Sequence, residues 1–308
     1  MKALIFDPNA PHSLRFGEVA IPQPTASQAL VEVRAVSLNL GEIAFLERLH
    51  KHGDVPGWDA AGVIVRAADD GSGPLPGTRV TTSGWNGAWG EFRAVDTNEL
   101  ATLPADMDFG VASTLPVAGT TALRAIRALG SVVGRRLLVT GASGGVGSFA
   151  VQLGRFAGAH VVACVSSQAR GEGLHKLGAA EVVVGLDAIH KPFDGVLDLV
   201  GGAVLARAFE LVASGGTLMS IGNASLAPTT IDFEQARSRG GDRRIVLFTL
   251  GGTGNGPDFS YLVDLVSRGE IDPQIGWRGN WQHMEEAATA LLERRVRGKV
   301  VLDLREDE

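Results

Sequence analysis

Cysteine is almost absent from this chain of 308 residues; the single thiol is Cys164. One cysteine excludes an intrachain disulfide framework and a Cys-rich structural zinc lobe. Its place in the apolar stretch Ala159 to Val165 makes it a buried, inert thiol. Aromatics are 6% of the residues and include one tyrosine, Tyr261, which falls in an apolar helical pattern and reads as packing. Clusters of positive charge are missing too. The 28 Lys and Arg residues are dispersed among 34 Asp and Glu for a net charge of −6, which argues against nucleic acid or an anionic membrane as partner. No apolar run reaches the roughly 20 residues of a spanning helix. Met1 to Pro8 lacks the long apolar region of a signal peptide, so a cytoplasmic location is the expectation.

Glycine and small apolar residues are plentiful, with 41 glycines and 45% apolar residues; at this length they suit an α/β protein of about two domains. The stretch Leu137 to Leu153 organises the rest. A buried strand turns through Gly141, Ser143, Gly144, Gly145, Val146 and Gly147 directly into a helix. Glycines at 141, 144 and 147 leave no Cβ where the chain must turn tightly, approach a pyrophosphate and pack helix on strand. The helix N-terminus then offers N–H groups and a positive dipole end to phosphates. A second strand at His160 to Val165 follows at βαβ distance.

Up to about residue 114 the pattern is short strands broken by Gly, Pro, Asn and Asp: 3–6, 30–35, 60–65, 79–82 and 90–95, with a short helix at 39–49. A helix near Gly119 to Ile126, with Thr120 and Thr121 in its first turn, opens a second domain over 115–270. Strands at 137–140, 160–165, 181–184, 196–200, 217–221 and 245–249 alternate with helices and predict a doubly wound parallel sheet. The segment 271–308, with a helix at 281–294 and a strand at 300–304, leaves this rhythm; its return to the first domain is the expectation, with an extension of the second domain as the alternative that periodicity leaves open.

Several blocks together resemble the zinc-independent quinone oxidoreductase branch of the medium-chain dehydrogenase/reductase superfamily: Val33 to Asn39, Gly57 to Ile64, Gly87 to Phe92, Gly119 to Ala122, Gly141 to Gly147, Lys176 to Ala179, Phe193 to Gly202 and Gly298 to Leu302. The resemblance implies a GroES-like, β-rich catalytic domain that receives the C-terminal tail, a Rossmann domain, and an active site in the cleft between them. The family's alcohol dehydrogenases hold a catalytic zinc; the corresponding positions here fall around Leu38 and Asn39, then Trp58 and Asp59. A tryptophan cannot ligate zinc, so no metal is expected. His50 and His52 read as an exposed loop pair without a third ligand.

At the end of the second strand, where an NAD-specific site places a carboxylate, the chain has Ser166, Ser167, Gln168, Ala169 and Arg170. Two hydroxyls and a guanidinium suit a 2′-phosphate, so NADPH is the expected cofactor; the competing reading makes Ser166 a helix cap and Arg170 a solvated side chain. Val200, Gly201, Gly222 and Asn223 lie at the ends of parallel strands, where such sheets bind ligands. By resemblance, Phe248 to Gly252, including Leu250, contacts the carboxamide end, and Arg294 is a cationic candidate whose register against Arg295 and Arg297 stays open. Asn39 and Thr121 match residues near the nicotinamide and are the catalytic candidates. Asn39 as an amide donor competes with Asn39 as a cap of the following helix, and Thr121 with a simple N-terminal cap. Phe45 and Leu46 stand where many relatives have a tyrosine.

The resulting expectation is an NADPH-dependent reductase that transfers hydride to a small-molecule quinone or α,β-unsaturated carbonyl compound. The alternatives are an enoyl-thioester or biosynthetic enoyl reductase, and a catalytically silent, crystallin-like NADPH-binding protein. The apolar strand Ile245 to Leu250, by analogy with the family, predicts a homodimer.

Overall fold

A computed structural model describes residues 1–251 and 253–305; Gly252 and the last three residues of the tail lie outside the described residues. The chain forms two compact units, residues 1–120 with 251–308, and residues 121–250.

The first unit begins with the antiparallel pair β1 (Lys2–Phe6) and β2 (Leu14–Glu18). Its backbone is β3 (Gln28–Leu38), whose alternating Ala29, Val31 and Val33 point into the core. Helices α1 (Leu40–Ala44) and α2 (Leu46–Leu49) take the place of the single helix expected over 39–49, because Phe45 leaves helical geometry at φ −121°, ψ 17°. Strands β4 (Asp59–Arg66), β5 (Arg79–Ser83), β6 (Phe92–Asp96) and β7 (Leu100–Thr102) follow, then α3 (Phe109–Ser113), which runs into a π-helical turn, Leu115–Gly119.

The second unit carries α4 (Thr120–Ala128), β8 (Arg136–Thr140), α5 (Gly145–Phe156), β9 (His160–Val165), α6 (Gln168–Gly171), β10 (Glu181–Val184), β11 (Phe193–Asp198), α7 (Gly202–Glu210), β12 (Val212–Ser220), α8 (Phe233–Ser238) and β13 (Arg244–Leu247). All six strands pair in parallel in the order β10-β9-β8-β11-β12-β13. This is the doubly wound arrangement, with its switch point between β8 and β11. Cys164 is buried in β9, and burial pushes its thiol up to about 11.

The chain then returns to the first unit through α9 (Gly256–Ser267), β14 (Ile275–Asn280), α10 (Met284–Leu292) and β15 (Lys299–Asp303). β15 pairs antiparallel with β3 and parallel with β14, so the tail completes the larger sheet, in the order β14-β15-β3-β4-β5-β7 with β6 also on β3. The expected second domain, 115–270, is therefore too wide at both ends. Val117 N–H bonds Asp59 Oδ1 at 3.0 Å, which ties the π turn to β4. Helix α9 packs on β7, and Glu99 accepts from the Asn255 amide and the Gly254 N–H at its start. Its apolar periodicity reads the same whichever unit covers it, so the sequence pattern alone misassigns it. Among the described residues no helix is long and apolar enough to cross a membrane.

Candidate functional site

In the second unit, β8 ends at Thr140 and four residues, 141–144, carry the chain into α5. Gly141 has φ +60°, a conformation that a side chain would strain. A Cβ on Gly147 would lie 2.3 Å from Gly141 O, so the helix crosses the strand end at backbone contact. Gly144 caps α5 in an extended conformation, and Gly145 and Val146 are its first helical residues. Here the first N–H groups of a 12-residue helix, which have no acceptor within it, face forward with its dipole. Val200 packs over Gly141, Asn223 against Gly201, and Gly222 against the Leu199 carbonyl. The buried Asp198 joins these strand ends: it accepts from Thr140 Oγ1 at 2.6 Å and Gly201 N at 2.8 Å, and Leu199 N donates to Thr140 Oγ1 at 3.1 Å. Burial holds its carboxyl above the usual range.

Arg170 reaches back to this turn, its Nε donating to Ser143 Oγ at 2.9 Å. Residues 27 apart in sequence thus put a guanidinium on the glycine cradle. Ser166 and Ser167 are both exposed at the end of β9. The cap position of α6 belongs to Ser167, not Ser166, and its side chain makes no capping bond. A turn with no room for Cβ atoms, free helix N–H groups and a nearby cation fits a phosphorylated dinucleotide. Phe248 extends the β13 side, its N–H on Ser220 O at 2.9 Å, and Leu250 is half-buried at the unit's end.

In the first unit three strand ends meet. β15 pairs Val300 with Leu38 of β3, and β4 pairs Asp59 with Ser37; Asn39, Asp59 and Lys299 are therefore neighbours. Asn39 Nδ2 donates to Glu42 Oε2 and Asp59 Oδ2, each at 2.8 Å, while Lys299 Nζ donates to Asn39 Oδ1 at 2.7 Å. The amide cannot be reversed without placing its NH₂ against the ammonium. Lys299 Nζ also lies 3.5 Å from Asp59 Oδ2, and both residues are essentially inaccessible. Glu42 accepts further from the Asn39 and Trp58 backbone N–H groups. Burial and the charge of Asp59 push the Glu42 carboxyl up to about 8, against the pull of Asn39 and Lys299. Burial holds Lys299 below its ordinary value. The fully buried Arg93 donates to Trp58 O at 2.9 Å and Thr82 Oγ1 at 3.0 Å; burial brings it down to about 10, so it remains charged at neutral pH.

This geometry corrects several sequence-based expectations. Asn39 does occupy the cap position of α1, but both amide protons are spent on the carboxyl groups of Glu42 and Asp59, so it has no N–H left for a nicotinamide. Thr121 is buried inside α4. The π turn passes into α4 without a break, Thr120 N–H bonding Leu115 O, so no open helix start exists for Thr121 to cap. Arg294 is exposed in a left-handed turn after α10; the cation that the tail brings to Asn39 is Lys299. His50 is buried with its ring 6.3 Å from that of Phe6, whereas His52 is exposed as expected.

Glu42 and Lys299 were missed as partners of Asn39, and Arg93 as the buried cation bonded to Trp58 O. The Asn-x-x-Glu spacing of a capping box signals Glu42. Lys299 lies inside a recognised block but carries no cue to its burial, and an arginine on an alternating strand reads as solvent-facing.

Residues 174–302 match the family model described as zinc-binding dehydrogenase. The chain is 29% identical over 307 residues to the 2-methylene-furan-3-one reductase of Solanum lycopersicum, covering 92% of this chain and 74% of that protein. It is 30% identical over 281 residues to a mitochondrial NAD(P)H oxidoreductase of Bos taurus, covering 80% and 70%. The quinone oxidoreductase of Coxiella burnetii superposes with a TM-score of 0.87 at 25% identity over 99% of both chains. With the glycine cradle, the doubly wound sheet and the returning tail in place, these likenesses establish that the chain belongs to the medium-chain dehydrogenase/reductase superfamily, in its quinone oxidoreductase branch.

Proposed function

We propose that this protein is an NADPH-dependent reductase of quinones and α,β-unsaturated carbonyl compounds that works without a metal. The observation that carries the reading is the guanidinium of Arg170 seated on Ser143 at the glycine cradle, with no carboxylate at the end of β9 to repel a 2′-phosphate. Relatives named as a furanone reductase and an NAD(P)H oxidoreductase support the same chemistry. Gly141 to Gly147 and the start of α5 would hold the pyrophosphate, Arg170 with Ser166 and Ser167 the 2′-phosphate, and Val200, Gly201, Gly222 and Asn223 the far side of the switch point. The bound cofactor supplies a hydride, two electrons and one proton, and water supplies the second proton of the reduced acceptor.

What the first unit adds is rigidity. Asn39 is held at both ends of its amide, and Asp59 is engaged by Ser37, Asn39 and Lys299. A carboxylate already bonded to three donors, Ser37, Asn39 and the Val117 N–H, with an ammonium 3.5 Å away, makes a poor metal ligand. The apolar edge of β13 supports a homodimer formed across that strand.

The test follows NADPH oxidation at saturating cofactor over a panel of quinones and enones, with and without a strong chelator. Turnover that survives chelation, with well under one zinc per chain, is expected. Absence of turnover with every acceptor, or loss of activity on chelation, would overturn the reading.

A further inference from the structure

The turn between β1 and β2 holds two consecutive non-glycine residues in the left-handed region, His12 at φ +50° and Ser13 at φ +58°. Such backbone is costly for a residue with a Cβ and persists only where its surroundings hold it. Ser13 N–H donates to Ala10 O and Ser13 O accepts from Asp7 N–H, each at 2.9 Å. The His12 ring is held by α10. Thr289 Oγ1 donates its one proton to Glu285 O at 2.8 Å, so it must accept from His12 Nε2, also at 2.8 Å. In the neutral ring this fixes the tautomer and leaves Nδ1 as an acceptor.

The same two residues line a cavity of about 340 Å³, within the range of small-molecule sites. Its apolar wall is Ile43, Ala44, Phe45, Leu46 and Leu292, gathered where Phe45 breaks the helix between α1 and α2. Glu47 and Arg48 of α2 complete it, both exposed. Glu47 accepts from Ser13 Oγ at a long 3.4 Å. The Arg48 guanidinium lies over the Phe45 ring, 5.5 Å from its centroid. Among the described residues neither of these charges has an ion-pair partner, although they are of opposite sign and border one cavity. A ligand that is only an anion would meet Glu47 as well as Arg48, and one that is only a cation would meet both in turn. A molecule that carries both charges on an apolar body matches every group.

We propose that this cavity is a binding site for a branched aliphatic α-amino acid. Arg48 takes the carboxylate, Glu47 and His12 Nδ1 take the ammonium, and Ile43, Leu46 and Leu292 receive the side chain. The strained turn serves to fix His12 and Ser13 before the ligand arrives, which lowers the ordering cost of binding. None of these residues belongs to the glycine cradle, so the inference stands apart from the reductase reading.

The experiment titrates L-leucine into the full-length protein by calorimetry, beside 4-methylpentanoate, which lacks the ammonium, and 3-methylbutylamine, which lacks the carboxylate. Leucine should bind saturably with a Kd of about 1 mM or tighter. Each analogue should bind about five- to tenfold more weakly, the order of one hydrogen bond to a charged group. Arg48→Gln and Glu47→Gln, both at exposed positions, should weaken leucine by a similar factor while leaving the thermal unfolding midpoint in place. No saturable binding of leucine up to about 10 mM, ten times that Kd, would overturn the site. So would either analogue binding within twofold of leucine, or an affinity unchanged in both variants, which would put the ligand elsewhere on the molecule.

Discussion

At the scale of single residues, the proposed function makes cofactor choice turn on Arg170. Its Nε is 2.9 Å from Ser143 Oγ, so the guanidinium is presented to the glycine turn. A phosphate on the 2′ position would find that cation, while a free hydroxyl would gain little from it. Arg170→Ala should weaken NADPH by about 1.5 to 3 kcal/mol, the range for a hydrogen bond to a charged group, or roughly ten- to a hundredfold in Kd. NADH should change by less than about twofold in Kd, under 0.5 kcal/mol. Titrating both cofactors into variant and parent decides it. Equal losses point to a general defect of the cradle, and no loss with either removes the main support for NADPH.

The elements around Asn39 show what a sequence pattern can and cannot convey. The glycine turn, the six parallel strands and the returning tail were legible, because backbone geometry and periodic burial leave marks in the order of residues. The strand ends at Ser37, Asp59 and Lys299 were not, because their meeting depends on the register of three strands far apart in the chain. Helix α9 failed for the same reason: its apolar face is plain, but its partner is not. The meeting of strand ends has an energetic signature. Removing Lys299 would leave Asp59 and Asn39 Oδ1 without their cation, so Lys299→Met should cost about 3 to 5 kcal/mol, as for other broken buried pairs. Glu42 adds a dependence on pH. Its folded-state value, about 8, lies above the ordinary 4.5, so the native state holds a proton that the unfolded chain has released. Its stabilising contribution is full below the unfolded value and is lost as pH rises through about 8. Urea unfolding at pH values between 5 and 9 should therefore show a fall in parent stability with pH that Glu42→Gln flattens; parallel curves would refute this.

At the scale of the whole molecule, the open question is what covers β13. It is the last strand of the six-stranded sheet, and among the described residues it pairs with β12 alone. All four of its residues are exposed, Leu247 at 81%, and Ile245 and Val246 show apolar side chains on opposite faces. A monomer would leave a short apolar edge with unpaired N–H and C=O groups, the arrangement most prone to pairing with another chain. Pairing the same edge of a second copy across a two-fold axis closes it, and a two-fold uses identical surfaces, so assembly stops at two. We therefore expect a dimer by light scattering at micromolar protein. A charge placed on that edge by Leu247→Lys should shift it to monomer with NADPH affinity retained, since Leu247 lies on β13 and the glycine turn follows β8, three strands away. A parent that runs as a monomer, or a Leu247→Lys variant that stays dimeric, would show that some other surface, or none, joins the subunits.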